Sequence, residues 1–286
     1  MQLQKINLSE FDAIAIHKWW YIIIAVALFV LNWGIELLKW YLITKPLVSE
    51  NNTKKLIQSL FAGISTGIIT PNRIGNFVGR MLYFKGRKRT MAALGTLYGN
   101  LAQFIATLIF GSIGFYAVGN VLLTSENQSI LKVALVTILC LSLFVYIVFP
   151  YGPELFRMFY KKHRNTMNAL REQLRHISFF LLVLSLTRYL VFITQFGLLL
   201  LAFGADYSED LINALYLHFV ITSILPSLIM GKLVIRETVA LIVLGSFVSN
   251  NAIIILSSLS LWMINLGVPA LIGLIILLRK RIADVA

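Results

Sequence analysis

The residues best suited to chemistry are few, and they interrupt apolar stretches. The run Thr70-Pro71-Asn72-Arg73-Ile74-Gly75 breaks one such stretch. Threonine is a good helix N-cap, and proline is favoured at the first helical position, where no backbone donor is lost. Thr70-Pro71 is therefore expected to start a helix whose free amides point into the protein. Such a terminus attracts anions, phosphate above all. Arg73, one turn inside, can pair bidentately with a phosphate, and Thr70 and Asn72 complete this candidate set. The alternative is a plain kinked helix with a snorkelling arginine.

Arg236-Glu237 follows the break at Pro226-Ser227, so each half of the chain offers a proline break and then an arginine. Glu237 can pair with Arg236 or Arg73, or take up a proton. A loop position facing water is the alternative. Two further ionisable groups, Glu36 and Arg188, lie inside long apolar runs at roughly corresponding positions. A lone charge at the centre of a bilayer costs at least about 2.5–3.5 kcal/mol, so such groups pair or line a pathway. They are expected to face a common cavity, with Gln195 two turns beyond Arg188 on the same face. A purely structural ion pair is the alternative. Lys39 is close enough to the end of its run to snorkel and is given no role.

Other chemistries find no support. Gly63-Ile64-Ser65-Thr66-Gly67 matches the hydrolase elbow, but that motif needs a strand-to-helix turn and this stretch is mid-helix. Small-residue packing accounts for it better: Gly63/Gly67, Gly75/Gly79 and Gly95/Gly99 are each four apart, the spacing that lets helices approach closely. His17, His163, His176 and His218 are scattered without metal spacing, and the single Cys140 allows neither an internal disulfide nor a cysteine metal site. No cofactor is expected, and without a nucleotide motif an ATP-driven machine is not expected either.

The elements that must position these residues follow from composition. Apolar residues make up 58% of the 286 and charged residues 13%, at a mean hydropathy of +0.83. The excess over a soluble domain lies in long runs such as Trp20–Phe29 and Phe179–Leu186, which belong in lipid. The net charge of +13 clusters between those runs, at Arg80–Arg89, Arg157–Arg175 and Arg279–Arg281. Cytoplasmic loops obeying the positive-inside rule explain this without any nucleic acid. Residues 1–17 lack the apolar core of a cleavable signal peptide.

Read in order, His17–Ile43 is one span closed by Lys45-Pro46, and Asn51–Lys55 is a polar link. Leu56–Ile69, about 14 residues, is too short to cross comfortably, and a short helix follows its break. Together they predict a re-entrant hairpin. Met91–Val118 spans, Gly119–Ser129 links, Ile130–Phe149 spans back, and Tyr151–Arg175 is a basic loop. Ile177–Phe203 spans, followed by an acidic loop at Asp206, Glu209 and Asp210. Leu211–Leu225 and Arg236–Val248 form a second hairpin broken at Pro226-Ser227 and by Gly231-Lys232, and Ala252–Leu278 spans to the basic end.

The expected fold is thus an all-α integral membrane protein of about five full spans and two re-entrant broken-helix hairpins. All lie in one membrane domain, an inverted repeat of about 17–118 and 177–281 joined by a linking helix at about 130–149. Broken helices meeting near the midplane of an inverted repeat are a transporter signature. This topology puts the carboxyl terminus in the cytoplasm and the amino terminus outside. An upstream helix absent from this chain, or a short translocated tail, would account for the latter.

The stretch Thr70-Pro71-Asn72-Arg73-Ile74-Gly75-Asn76-Phe77-Val78-Gly79-Arg80 resembles the signature of the lysylphosphatidylglycerol synthase transmembrane family, a flippase-like membrane domain. Asn32-Trp33 through Lys39-Trp40, Ser185 through Gln195, and Gly231 through Glu237 agree with it. The family often has an acid where Asn76 stands and a glycine where Val234 stands, and a helix usually precedes the first one here. The resemblance implies movement of a phospholipid or other lipid-phosphate, with or without an aminoacyl group, across the bacterial inner membrane. The alternative is a membrane subunit or accessory partner of an enzyme that transfers groups onto lipid-phosphates. The best-known members carry an aminoacyl-transferase domain after the membrane part, so this chain is not expected to be that synthase by itself. Membrane lipids are the expected partners, with a membrane synthase and a second copy of the chain left open.

Overall fold

The computed structural model describes residues 16, 18–47, 53–122, 125–151, 164–226 and 231–285, and among these it is helical with no strand. Helices α1 (Trp19–Thr44), α2 (Thr53–Ile68), α3 (Gly75–Met81), α4 (Arg87–Leu122) and α5 (Ser125–Tyr151) make the first part. Helices α6 (Arg164–Ala202), α7 (Glu209–Ile224), α8 (Gly231–Leu244) and α9 (Asn251–Trp262) follow. A π-helical turn at Met263–Gly267 then runs into α10 (Val268–Val285). Five segments are long and apolar enough to cross a membrane: α1, α4, α5, α6 and the continuous rod from α9 to α10. Their outer faces carry bare Val30, Val133, Phe144 and Phe179, a surface suited to lipid.

Local signals set the boundaries. The side chain of Ser208 accepts the Leu211 amide and that of Asn250 accepts the Ala252 amide, capping α7 and α9. Gly204, at φ +105, ends α6 in a conformation that glycine adopts without penalty. Pro269 has no amide to give the Asn265 carbonyl four residues back, and the π turn sits at that gap.

Three expected boundaries are corrected. The link Gly119–Ser129 is mostly helix, because α4 continues to Leu122 and α5 begins at Ser125. Arg164, Arg171 and Arg175 belong to α6 instead of a loop, since nothing in that polar sequence breaks a helix. Gly231-Lys232 opens α8 and so interrupts nothing. Residues 1–15, His17, Asn51, Arg157, Lys161, Lys162, His163 and Ser227 lie outside the described residues.

The packing is reciprocal between the halves. Helix α1 packs along α6; α4 packs on α7 as α10 packs on α2; α3 touches α4 as α8 touches α9. Glycines allow the closest approaches. A Cβ at Gly75 would collide with the Thr66 carbonyl, and one at Gly79 with the Ala62 carbonyl, so α2 and α3 meet backbone to backbone. Gly273 lies in the same way against Phe61 of α2, and Gly114 against the Asn213 carbonyl of α7.

Replacing Gly75 by valine is expected to destabilise the protein by about 1–3 kcal/mol or more through overpacking against fixed backbone. Gly34→Ala meets nothing within 4 Å and is expected to leave stability unchanged or slightly raised. Melting curves of the detergent-purified variants check both.

Candidate functional site

The break between α2 and α3 is held by two threonines. Thr70 Oγ1 accepts the Gly75 amide at 2.8 Å and donates to the Thr66 carbonyl at 3.1 Å, while Thr66 Oγ1 lies 2.6 Å from the Gly75 carbonyl. Between these ties, Pro71–Arg73 forms a 3-10 turn in which Asn72 and Arg73 have φ of 47° and 58°. Two successive non-glycine residues in the left-handed region store backbone strain of roughly 1–3 kcal/mol each, an arrangement found where function demands it.

Thr70-Pro71 opens this 3-10 turn, with Thr70 at the N-cap position but without a side-chain capping bond, and does not open the α-helix that follows. The α-helix begins at Gly75, is short, and has its first amide taken by Thr70. What the turn presents is the Arg73 side chain.

Arg73 lines a cavity of about 350 Å³ together with Thr70, Arg188 and Arg236. Arg73 comes from the first break, Arg188 from α6 and Arg236 from α8, and the charges of Arg188 and Arg236 lie within electrostatic reach of Arg73. Trp33, Tyr189, Phe192, Phe219 and Trp262 supply most of the aromatic wall. Asn72 is exposed outside this lining.

Among the described residues, the Arg73 side chain has neither a hydrogen bond nor an ion pair. The other two arginines are paired. Arg236 forms an ion pair with neighbouring Glu237, whose Oε1 also accepts from Ser258 at 3.0 Å. Arg188 Nη1 lies 3.2 Å from Glu36 Oε2, and its Nε donates to Asn32 Oδ1 at 2.9 Å.

Behind the cavity, Glu36 is shared among three cations. Arg80 Nη2 donates to Glu36 Oε1 at 2.9 Å, and Lys39 Nζ lies 3.6 Å from Oε2. Arg80 also donates to Asn76 Oδ1 at 3.0 Å and stacks over Trp40, its guanidinium carbon 4.6 Å from the ring centre; Arg188 lies 5.5 Å over Trp33. Lys39 reaches the Gly99 carbonyl and Gln103 Oε1, both at 3.4 Å.

From Asn32 the network runs on through neutral amides. Asn32 donates to Asn265 at 2.6 Å, Asn265 to Gln195 at 3.1 Å, and Gln195 to the Ala25 carbonyl at 2.7 Å. Glu36, Gln195 and Glu237 thus stand behind the lining, each touching a residue that belongs to it.

Two readings from the sequence change. Lys39 does not snorkel: it is 3% exposed and tied to Glu36, because α1 packs that face against α4 and α6. Arg80 is no part of a basic loop; α3 turns it inward to Glu36, at 4% exposure. Asn32, Trp33, Gln103 and Asn265 join the site although sequence reasoning gave them no role. Their signal was spacing: Asn32, Glu36 and Lys39 repeat on one face of α1, as Thr96, Gly99, Gln103 and Thr107 do on α4. His218 is buried against Phe196 and Phe219. No cluster able to hold a metal occurs among the described residues.

The family model described as the lysylphosphatidylglycerol synthase TM region matches residues 2–273, a stretch that includes every residue of this network. The chain belongs to this family. It is accordingly a multi-pass membrane protein of a family tied by name to phospholipid modification. No curated protein and no solved structure matches the chain.

Removing the shared carboxylate as Glu36→Gln leaves the buried Arg80 and Lys39 and the half-buried Arg188 without a counter-charge. A loss of roughly 3–5 kcal/mol is expected, as for other broken buried pairs, with partial recovery in Glu36→Gln/Arg188→Gln. Thermal unfolding in detergent reads both, and a melt of the single variant matching wild type would contradict it.

Proposed function

We propose that this protein is a lipid flippase-like transporter that moves a phospholipid or lipid-phosphate across the bacterial inner membrane. One observation carries the reading. Arginines from a helix break, a spanning helix and the short helix α8 converge on a cavity that is otherwise largely apolar, and one of them has no counter-ion among the described residues. A phosphate crossing hydrocarbon must replace the water it loses with fixed charge and donors. Arg73, Arg188 and Arg236 supply these, while the aromatic and aliphatic wall accepts part of a chain.

The reciprocal packing of the two halves supports an inverted repeat, in which α2–α3 and α7–α8 dip in from opposite faces and the carboxyl terminus is cytoplasmic. Alternating access then follows from rocking one half against the other around the cavity. An arriving phosphate competes with Glu36 for Arg188 and with Glu237 for Arg236, so occupancy itself loosens the Glu36–Arg188 pair that joins the halves.

In liposomes containing the purified protein, labelled phospholipid is expected to become exposed to the outer leaflet at a rate that falls about tenfold or more in Arg73→Ala and Arg236→Ala. Rates equal to wild type in both variants would remove these side chains from the pathway.

A further inference from the structure

We infer that the cavity accepts a lipid phosphate whose head group carries net negative charge and no ammonium group. This rests on the lipid-carrying reading above and narrows it to a substrate class. Among the described residues, the charged side chains in the lining are Arg73, Arg188 and Arg236, and no carboxylate lines it. The two nearby acids stand behind those arginines and are already engaged. Glu36 is held by Arg80, Lys39 and Arg188, and Glu237 through Oε1 by Arg236 and Ser258; Glu237 Oε2 is buried without a hydrogen-bond partner among the described residues, and Glu237 is not part of the lining. Around the site, five cations therefore face two carboxylates.

A phosphate reduces that excess, whereas an ammonium on the same head group adds to it in surroundings where like charges interact strongly.

Aromatic rings are the usual alternative host for an ammonium, and four of the five rings in this wall already have a partner. Arg188 already lies over Trp33, and Tyr189 stacks on Phe110 with ring centres 4.9 Å apart. Phe192 and Phe219 pack on each other at the same distance. The apolar residues of the wall, including Ile68, Leu233 and Leu266, offer nothing to a free phosphate but suit the start of an acyl or prenyl chain.

Phosphatidylglycerol and its lysyl ester differ only in the cationic lysyl group, which makes them the discriminating pair. Trp33 and Trp262 line the cavity, so tryptophan fluorescence of the purified full chain reports binding. Short-chain phosphatidylglycerol is expected to bind at least about tenfold more tightly than lysyl-phosphatidylglycerol, short-chain phosphatidylcholine or inorganic phosphate, a ratio that corresponds to 1.4 kcal/mol. Arg73→Glu should bring phosphatidylglycerol and its lysyl ester towards parity, and Arg73→Lys should keep them apart.

Equal wild-type affinities for phosphatidylglycerol and its lysyl ester would overturn the inference whatever the variants do. Inorganic phosphate binding as tightly as phosphatidylglycerol would overturn the lipid assignment. Selective binding without any lipid movement in vesicles would defeat the transport reading and leave the ligand class standing. Movement of both lipids with equal affinity would do the reverse.

Discussion

A single buried carboxylate, Glu36, holds three cations, and the helices around it are arranged about that imbalance. Arg80 arrives from α3, Lys39 from one turn along α1, and Arg188 from α6. One negative charge cannot neutralise three positive ones. The surplus is spread by hydrogen bonds to Asn32, Asn76, Gln103 and a backbone carbonyl, and by the faces of Trp33 and Trp40. Those partners come from α1, α3 and α4, so the packing of these helices and the charge balance of the site are tied together.

The cavity is the open side of the same network. Arg188 faces Glu36 on one side and the cavity on the other, and Arg73 extends the cationic surface with no acid of its own. Holding Arg73 there requires a turn with two left-handed residues, and that turn is braced by threonine hydroxyls and by the glycine-lined seam between α2 and α3. Small residues at this seam and an arginine at its tip are two parts of one device. Close backbone approach fixes the turn, and the fixed turn aims the charge.

Much of this was legible in the sequence, and the residues that were missed share a cause. Long apolar runs gave all five spanning segments, since burial in lipid needs little beyond length and hydropathy. Proline placed the breaks, and the pairing of Glu36 with Arg188 follows from the cost of isolated charge. Arg80 and Lys39 were misassigned because each lies near the basic end of its helix, where charge normally reaches water; only the fold of α3 against α1 turns them inward. Of the strained turn, Asn72 left a weak mark, since asparagine tolerates the left-handed region, while Arg73 left none. Asn265 needed the π turn before Pro269 to face Asn32, a contact between residues more than two hundred positions apart.

Mass spectrometry of the intact protein, released gently from its native membrane, tests most directly whether the cationic cavity holds a lipid phosphate. Wild type is expected to carry a phosphate-containing lipid of net negative charge, and the Arg73→Ala/Arg236→Ala double variant to lose it while remaining folded. A wild-type protein free of such lipid, or a double variant that retains it equally, would contradict the account.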